Sequence, residues 1–110
     1  MNADRRPIHW LSDARDFARK AHSHASGETL DERQYLAIRY CLVVVGEALD
    51  FVPDDVLAAE PEIPWRKVIA LRHRLVHAYW LIDEDIVSEI ALNEIGPLVA
   101  ALDRLIDSCS

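Results

Sequence analysis

One short stretch in the second half of the chain combines side chains that suit the chemistry of a phosphate ester. Arg72 and Arg74 are permanent cations whose guanidinium donors match the oxygens of a phosphate. His73 and His77 carry imidazoles that take up and release protons near neutral pH. Tyr79 presents a phenol that can donate a hydrogen bond, stack on a base or be modified. These residue types predict phosphate binding with proton transfer beside it.

The spacing of these residues constrains how a site can form. At roughly 100° per residue, Arg72 and His77 lie about 140° apart on an ideal α-helix, so they do not share one face. Either the helix loosens before His77, or the site is assembled from two copies of the segment. A twofold dimer provides the second arrangement, because one patch then faces its own copy.

The charge of the chain is unevenly distributed. The net charge is −7, which taken alone argues against a nucleic-acid partner. Residues 63–82, however, hold four basic residues and no acid, whereas the other ninety residues hold eight basic and 19 acidic residues. A cationic island in an acidic chain can bind a phosphate locally, but it does not resemble a broad surface for duplex DNA.

Each of these residues also has a structural interpretation. His77 could be a helix-terminal histidine that interacts with the helix dipole, and the arginines could be solvated charges. His73 and His77 have the four-residue spacing of a two-histidine metal site. No cysteine or carboxylate stands near them in the sequence, so we predict neither a metal nor another cofactor. Glu47, in an apolar stretch, could either pair with an arginine such as Arg72 and orient it, or be exposed.

Helical periodicity dominates the sequence, and strand signals are missing. We predict an all-α, up-and-down four-helix bundle, in which the chain forms one domain over residues 1–110. The predicted helices run from about Ile8 to His24, from Thr29 to Pro53, from Trp65 to Val76, and from near Asp83 to about Asp107. The sequence Thr29-Leu30-Asp31-Glu32 resembles a capping box. The inward face of the second helix is predicted to include Tyr40, Cys41, Val45 and Leu49, and that of the last helix Ile86, Val87 and Ile90.

Prolines interrupt this pattern in two places. A short extra helix is expected between the second and third helices, in the stretch that begins at Pro53. Gly96-Pro97 should kink or break the last helix, because proline lacks the N–H that an α-helix requires. The chain contains neither a signal-like stretch nor an apolar run of membrane-spanning length, and its two cysteines do not suggest a disulfide. We therefore expect a cytoplasmic protein without membrane contact.

Three elements of the chain, in order and in register, resemble the HepT-like toxin family of the HEPN superfamily. The segment from Arg72 to Tyr79 resembles its Arg-x4-His-x-Tyr motif: four residues separate Arg72 from His77, and Ala78 separates His77 from Tyr79. Val45-Gly46-Glu47-Ala48 is similar to an Ile-Gly-Glu-Ala element of the second helix, and Pro61 to Arg66 is similar to the lead-in to the motif helix.

The resemblance implies a homodimer of helical bundles with paired motifs at the interface, and cleavage of RNA without a metal. On this basis we predict that Arg72 and His77 are catalytic, and we assign auxiliary roles to His73, Arg74 and Glu47 from their chemistry and position in the sequence. The implied partner is a minimal nucleotidyltransferase antitoxin of the MNT type, which transfers AMP onto the motif tyrosine, here Tyr79. Such a pair would form a type II or type VII-like toxin–antitoxin system.

The sequence departs from the family pattern at His73, where Asn or another small polar residue is common. The imidazole could preserve phosphate contact, add a second proton carrier or impair cleavage. Two functions follow: an endoribonuclease toxin, or a non-catalytic HEPN module that binds nucleotides or serves as a scaffold for a nucleotidyltransferase. A weaker alternative, an acidic structural dimer without nucleic-acid contact, conflicts with the acid-free stretch.

Overall fold

A computed structural model describes residues 5–25, 30–78, 80 and 84–109. Helix α1 spans Pro7–His24, α2 spans Glu32–Asp50, α3 spans Asp54–Leu57 and α4 spans Trp65–His77. Helix α5 spans Glu84–Glu89, a π-helical segment spans Ile90–Glu94 and α6 spans Ile95–Cys109. No strand occurs in these ranges, which confirms the all-α prediction.

The long helices alternate in direction, as predicted for an up-and-down bundle. Trp10 stacks on Phe51 at one end of the α1–α2 pair, and Gln34 donates to the carbonyl of His24 at the other end. Helix α4 runs antiparallel to α2. The fourth helix of the bundle packs along α1 and consists of α5, the π segment and α6. The short helix α3 lies between α2 and α4, where the extra helix was predicted.

The core is the apolar interior shared by the four helices of the bundle. Its largest fully buried side chains are Leu11, Ile38, Leu49, Ile95, Leu102, Leu105, Val45 and Val87. Tyr40 was predicted to face inward and is instead 63% exposed, as is Ile86 at 49%, so both predictions were wrong. The inward face of α2 is rotated toward Ile38 and Leu42, because this helix packs against both α1 and α4.

The start of α2 also differs from the prediction. The capping box is formed by Asp31 and Gln34: the Asp31 carboxylate accepts from the Gln34 N–H at 2.8 Å, and the Gln34 amide oxygen accepts from the Asp31 N–H at 2.9 Å. The helix therefore begins at Glu32. Thr29, the predicted cap, lies outside the described residues.

Pro97 produces a change of helical winding instead of a break. Two residues after the π segment ends, the chain passes through Gly96 and Pro97 within α6. The N–H of Ile95 donates to the carbonyl of Ile90, five residues earlier. Such a π-turn inserts one residue into the helix, and it accommodates a proline that cannot donate to the carbonyl four residues before it. No helix in the described residues is long and apolar enough to cross a membrane.

Candidate functional site

Helix α4 carries the described part of the motif, and it remains α-helical to its last residue, His77. The N–H of Ala78 still donates to the carbonyl of Arg74 at 2.9 Å. The helix therefore does not loosen before His77, and Arg72 and His77 stay on different faces, about 140° apart at 100° per residue. This excludes the first of the two alternatives raised by the spacing, a helix that loosens before His77. Tyr79 lies outside the described residues.

Arg72 sits where α4 approaches α2 most closely, at Gly46. A Cβ added to Gly46 would lie 2.2 Å from the Cβ of Arg72, 3.0 Å from its Cγ and 3.4 Å from the carbonyl oxygen of Val68. No L-amino acid with a side chain fits this gap without movement of a helix. Gly46 thus determines how far the Arg72 side chain lies from the surface of α2.

Glu47, the next residue on α2, holds the head group of Arg72. Its Oε2 accepts from the Arg72 Nη2 at 2.6 Å, a short charge-assisted bond. The pair is partly accessible, since the Glu47 side chain is 52% exposed and that of Arg72 is 29% exposed. The Nε of Arg72 is buried and has no hydrogen-bond partner among the described residues. The ion pair therefore orients the guanidinium without satisfying all its donors.

The two motif histidines lie side by side on the exposed face of α4. The ring centroids of His73 and His77 are 4.6 Å apart with the planes tilted by 46°. Both side chains are exposed, so both are accessible to solvent or a ligand. Among the described residues, no third histidine, cysteine or carboxylate joins them in a group that could hold a metal ion.

Arg74 is not brought together with Arg72. The two are 200° apart around α4 at 100° per residue. Arg74 lines a separate apolar groove of about 420 Å³, formed with Leu42 and the last helix of the bundle near Ile90. Its position favours a peripheral contact over a place beside the Arg72–Glu47 pair.

Arg39 is a residue of this region that the sequence analysis missed. Its Nη2 donates to the carbonyl oxygen of Leu75 at 3.1 Å, in the last turn of α4, where backbone acceptors lack helical partners. Arg39 and Gly46 are seven residues apart, so they share one face of α2. That spacing, read together with Gly46, was the signal that could have identified it.

A cleft of about 660 Å³ begins at the motif and continues along α4. Arg72 and His73 line it at one end, and Arg66 and Lys67 line it toward the start of the helix. Its opposite wall is the end of α2 and the short helix α3.

Comparison with known proteins assigns the family. The sequence profile of the family described as Ribonuclease HepT-like matches residues 10–105. The chain belongs to the HepT-like ribonuclease family. The matched range includes Gly46, Glu47, Arg72, His77 and Tyr79, and the names of the family and its members indicate ribonuclease activity.

Individual HepT-like relatives are similar over most of this chain. A protein of Thermococcus cleftensis named "Probable ribonuclease HepT" is 31% identical over 75 residues, which are 68% of each chain. A candidate RNase of Methanocaldococcus jannaschii is 29% identical over 76 residues, 69% of this chain and 63% of that protein. A second candidate RNase of that organism is 34% identical over 73 residues, 66% of this chain and 62% of that protein. No solved structure gives a significant match.

Proposed function

We propose that this HepT-like chain is the toxin of a type II or type VII-like toxin–antitoxin system and that it cuts RNA without a metal. The observation that carries the proposal is the Arg72–Glu47 pair. An arginine set against Gly46 and held at 2.6 Å by a carboxylate has the fixed position that stabilisation of a phosphate charge requires. The stretch of residues 63–82 that contains it has four basic residues and no acidic residue.

The reaction would be an internal transesterification. The 2′-hydroxyl attacks the adjacent phosphorus, a bond from O2′ to phosphorus forms, and the bond from phosphorus to the 5′ oxygen breaks. One imidazole takes the proton of the 2′-hydroxyl and another acid gives a proton to the leaving oxygen, which yields a 2′,3′-cyclic phosphate and a 5′-hydroxyl. His77 would serve as base or acid, Arg72 would hold the phosphate, and His73 and Arg74 would be auxiliary.

A homodimer would bring two such motifs together. Leu36, Tyr40 and Glu47 fall within about 40° of one another around α2, at 100° per residue, so the apolar side chains share a face with the ion pair. Leu36 and Tyr40 are 53% and 63% exposed. On α4, Val76 is 43% exposed and lies about 40° from Arg72. Exposed apolar residues around a charged pair favour an interface between copies, which would place Arg72 of one subunit near His77 of the other.

Regulation would act on Tyr79, just beyond the last turn of α4. A nucleotidyltransferase antitoxin would transfer AMP from ATP to the phenol oxygen and release pyrophosphate. The added phosphodiester would introduce a negative charge two residues after His77 in the sequence, and this charge would compete with the RNA phosphate for the basic motif residues.

Cleavage of a labelled single-stranded RNA by the purified protein in EDTA tests the ribonuclease proposal. We expect products ending in a 2′,3′-cyclic phosphate, no cleavage of the same sequence as DNA, and loss of cleavage in His77→Ala. Equal cleavage of RNA and DNA would refute the mechanism. RNA binding without cleavage by the unmodified protein would instead support the non-catalytic module. His73→Asn, which restores a residue common in the family at this position, would then be tested for cleavage.

Intact-mass measurement after co-expression with the nucleotidyltransferase tests the regulatory proposal. We expect a gain of whole AMP units that is absent in Tyr79→Phe and that accompanies loss of cleavage. Tyr40→Phe is the control for a tyrosine outside the motif, because it removes only the hydroxyl and keeps the ring that the proposed dimer interface would bury. A mass gain that persists in Tyr79→Phe would refute Tyr79 as the acceptor.

A further inference from the structure

The cleft along α4 combines an apolar lining with a charged rim. The apolar side chains that line it are those of Leu49, Val52, Leu57, Ile69 and Ala70. Its rim holds basic residues on the α4 side and the carboxylates of Asp50 and Asp54 on the other side. Such a composition suits a ligand with a flat, weakly polar body, hydrogen-bond donors at its edge and a negative backbone.

We infer that this cleft binds a nucleotide of single-stranded RNA next to the cleaved phosphate, and that Asp50 selects a base with an amino group. The inference rests on the proposed function, in which Arg72 holds that phosphate. Because Arg72 and His73 line the end of the cleft, a strand anchored there has its neighbouring nucleotide directly over the cleft.

The size of the cleft fits this ligand. About 660 Å³ lies within the range of small-molecule sites, which hold ligands of nucleotide size. Ala70 leaves space on the α4 side of the cleft, since the side chain at this exposed position is a single methyl group. The base would lie on the half-buried side chain of Ile69, where burial of its faces contributes binding energy without hydrogen bonds.

The two carboxylates of the rim differ in availability. Asp54 accepts from Arg66 at 3.1 Å, whereas no ion pair involves Asp50 within the described residues. A carboxylate accepts hydrogen bonds and donates none, so Asp50 can bind the amino group of adenine, cytosine or guanine. Uracil has no amino group, and its N3–H lies between two carbonyl oxygens that repel the carboxylate, so its contact with Asp50 would be weaker.

Lys67 provides the second backbone contact. It is exposed and lines the cleft five residues before Arg72, which places it about 7.5 Å from Arg72 along the helix axis and about 140° around it, at the opposite edge of the cleft. An ammonium there would bind a second phosphate of a strand that crosses the cleft. This contact would add affinity for any sequence, whereas Asp50 would supply the base preference.

Fluorescence anisotropy with labelled oligo(A), oligo(C) and oligo(U) tests the inference, in the His77→Ala protein so that nothing is cut. We expect oligo(A) and oligo(C) to bind at least about fivefold more tightly than oligo(U), as one base contact allows. Asp50→Asn should reduce this preference below twofold, and Asp55→Asn, a neighbouring carboxylate that does not line the cleft, should retain it.

Two further variants test the cleft itself. Lys67→Ala should weaken the binding of all three oligonucleotides alike. It should also lower the salt dependence of the affinity by about one phosphate contact. The control Lys20→Ala, on α1, should change neither. Ala70→Gln fills the cleft with a neutral side chain at an exposed helix position, and it should weaken binding about tenfold without loss of folding.

The outcomes separate this inference from the proposed function. If Arg72→Ala abolishes RNA binding while Asp50→Asn and Ala70→Gln bind as the parent does, the cleft inference is overturned and the proposed function stands. If no oligonucleotide binds at submillimolar protein, the cleft inference is overturned, and the cleavage assay decides the proposed function independently.

Discussion

Gly46 on α2 lies directly against the Cβ of Arg72 on α4, where a methyl group at residue 46 would be 2.2 Å from that atom. Glu47, one residue further along α2, then reaches the Arg72 head group at 2.6 Å. Two consecutive residues thus have separate roles. Gly46 sets the distance between the helices, and Glu47 sets the orientation of the guanidinium.

Gly46→Ala should destabilise the fold by about 1–3 kcal/mol, because the new methyl group overpacks a helix contact that has no space for it. Gly96→Ala is the matched control: a Cβ at Gly96 meets no atom within 4 Å, so replacing glycine in a helix should be neutral or stabilising by up to about 1 kcal/mol. Urea unfolding of both variants measures the difference. Equal stability of the two would contradict the close packing.

Glu47→Gln should lower the rate of RNA cleavage by about ten- to a hundredfold, because a loosened Arg72 no longer holds the phosphate in line. The free energy of unfolding should change by only about 0.2–1 kcal/mol, since the pair is partly solvated. Asp103→Asn, which removes the surface pair with Arg19, is the control and should leave cleavage unchanged. Loss of cleavage only in proportion to unfolded protein would argue against an orienting role.

The adjacent imidazoles of His73 and His77 should differ in their importance for cleavage. His77→Ala should lower the rate by about 10²–10⁴-fold, the contribution of a general acid or base. His73→Asn should stay within about tenfold of the parent, because an amide keeps a donor and an acceptor for phosphate contact. Single-turnover cleavage of a labelled RNA measures both. If His73→Asn lost as much activity as His77→Ala, His73 would carry a proton-transfer role.

The two thiols should differ in reactivity, because burial raises the pKa of Cys41, opposed by the charge of Lys20, while Cys109 is exposed. In the native protein a disulfide reagent should label Cys109 rapidly and Cys41 only slowly. In the Cys109→Ser variant only Cys41 can react, and its slow labelling should become fast when urea unfolds the protein. Rapid labelling of native Cys109→Ser would contradict the burial of Cys41.

The same shift predicts a loss of stability in alkali. A thiol whose pKa is raised in the folded state favours its neutral form there, so its contribution is present below the ordinary thiol pKa and disappears as pH rises through the folded value. Between the ordinary thiol pKa and the raised folded value, the stability of Cys41→Ala should therefore fall less steeply with pH than the stability of the parent. Parallel pH profiles for the two proteins would contradict the raised pKa.

Local sequence signals were sufficient to predict where the helices lie, but not which face of each helix is buried. Three- and four-residue apolar spacing located α1, α2 and α4 to within a few residues. The prediction for Tyr40 was wrong because α2 packs against two helices, so its apolar residues cover a wide arc and periodicity alone does not show which edge remains exposed. Pro97 was recognised as an interruption, but the sequence did not show that a π-turn before it would let the helix continue.

The sequence by itself determined the all-α class, the positions of the long helices and the segment that holds Arg72 and His77, because periodicity, capping residues and side-chain chemistry are local properties. Only the tertiary structure decided that Gly46 lies against Arg72, that Glu47 binds its head group and that Arg74 faces a different groove. These relationships join residues far apart in the chain. They depend on the rotation and spacing of packed helices, which the spacing of residues within one helix does not specify.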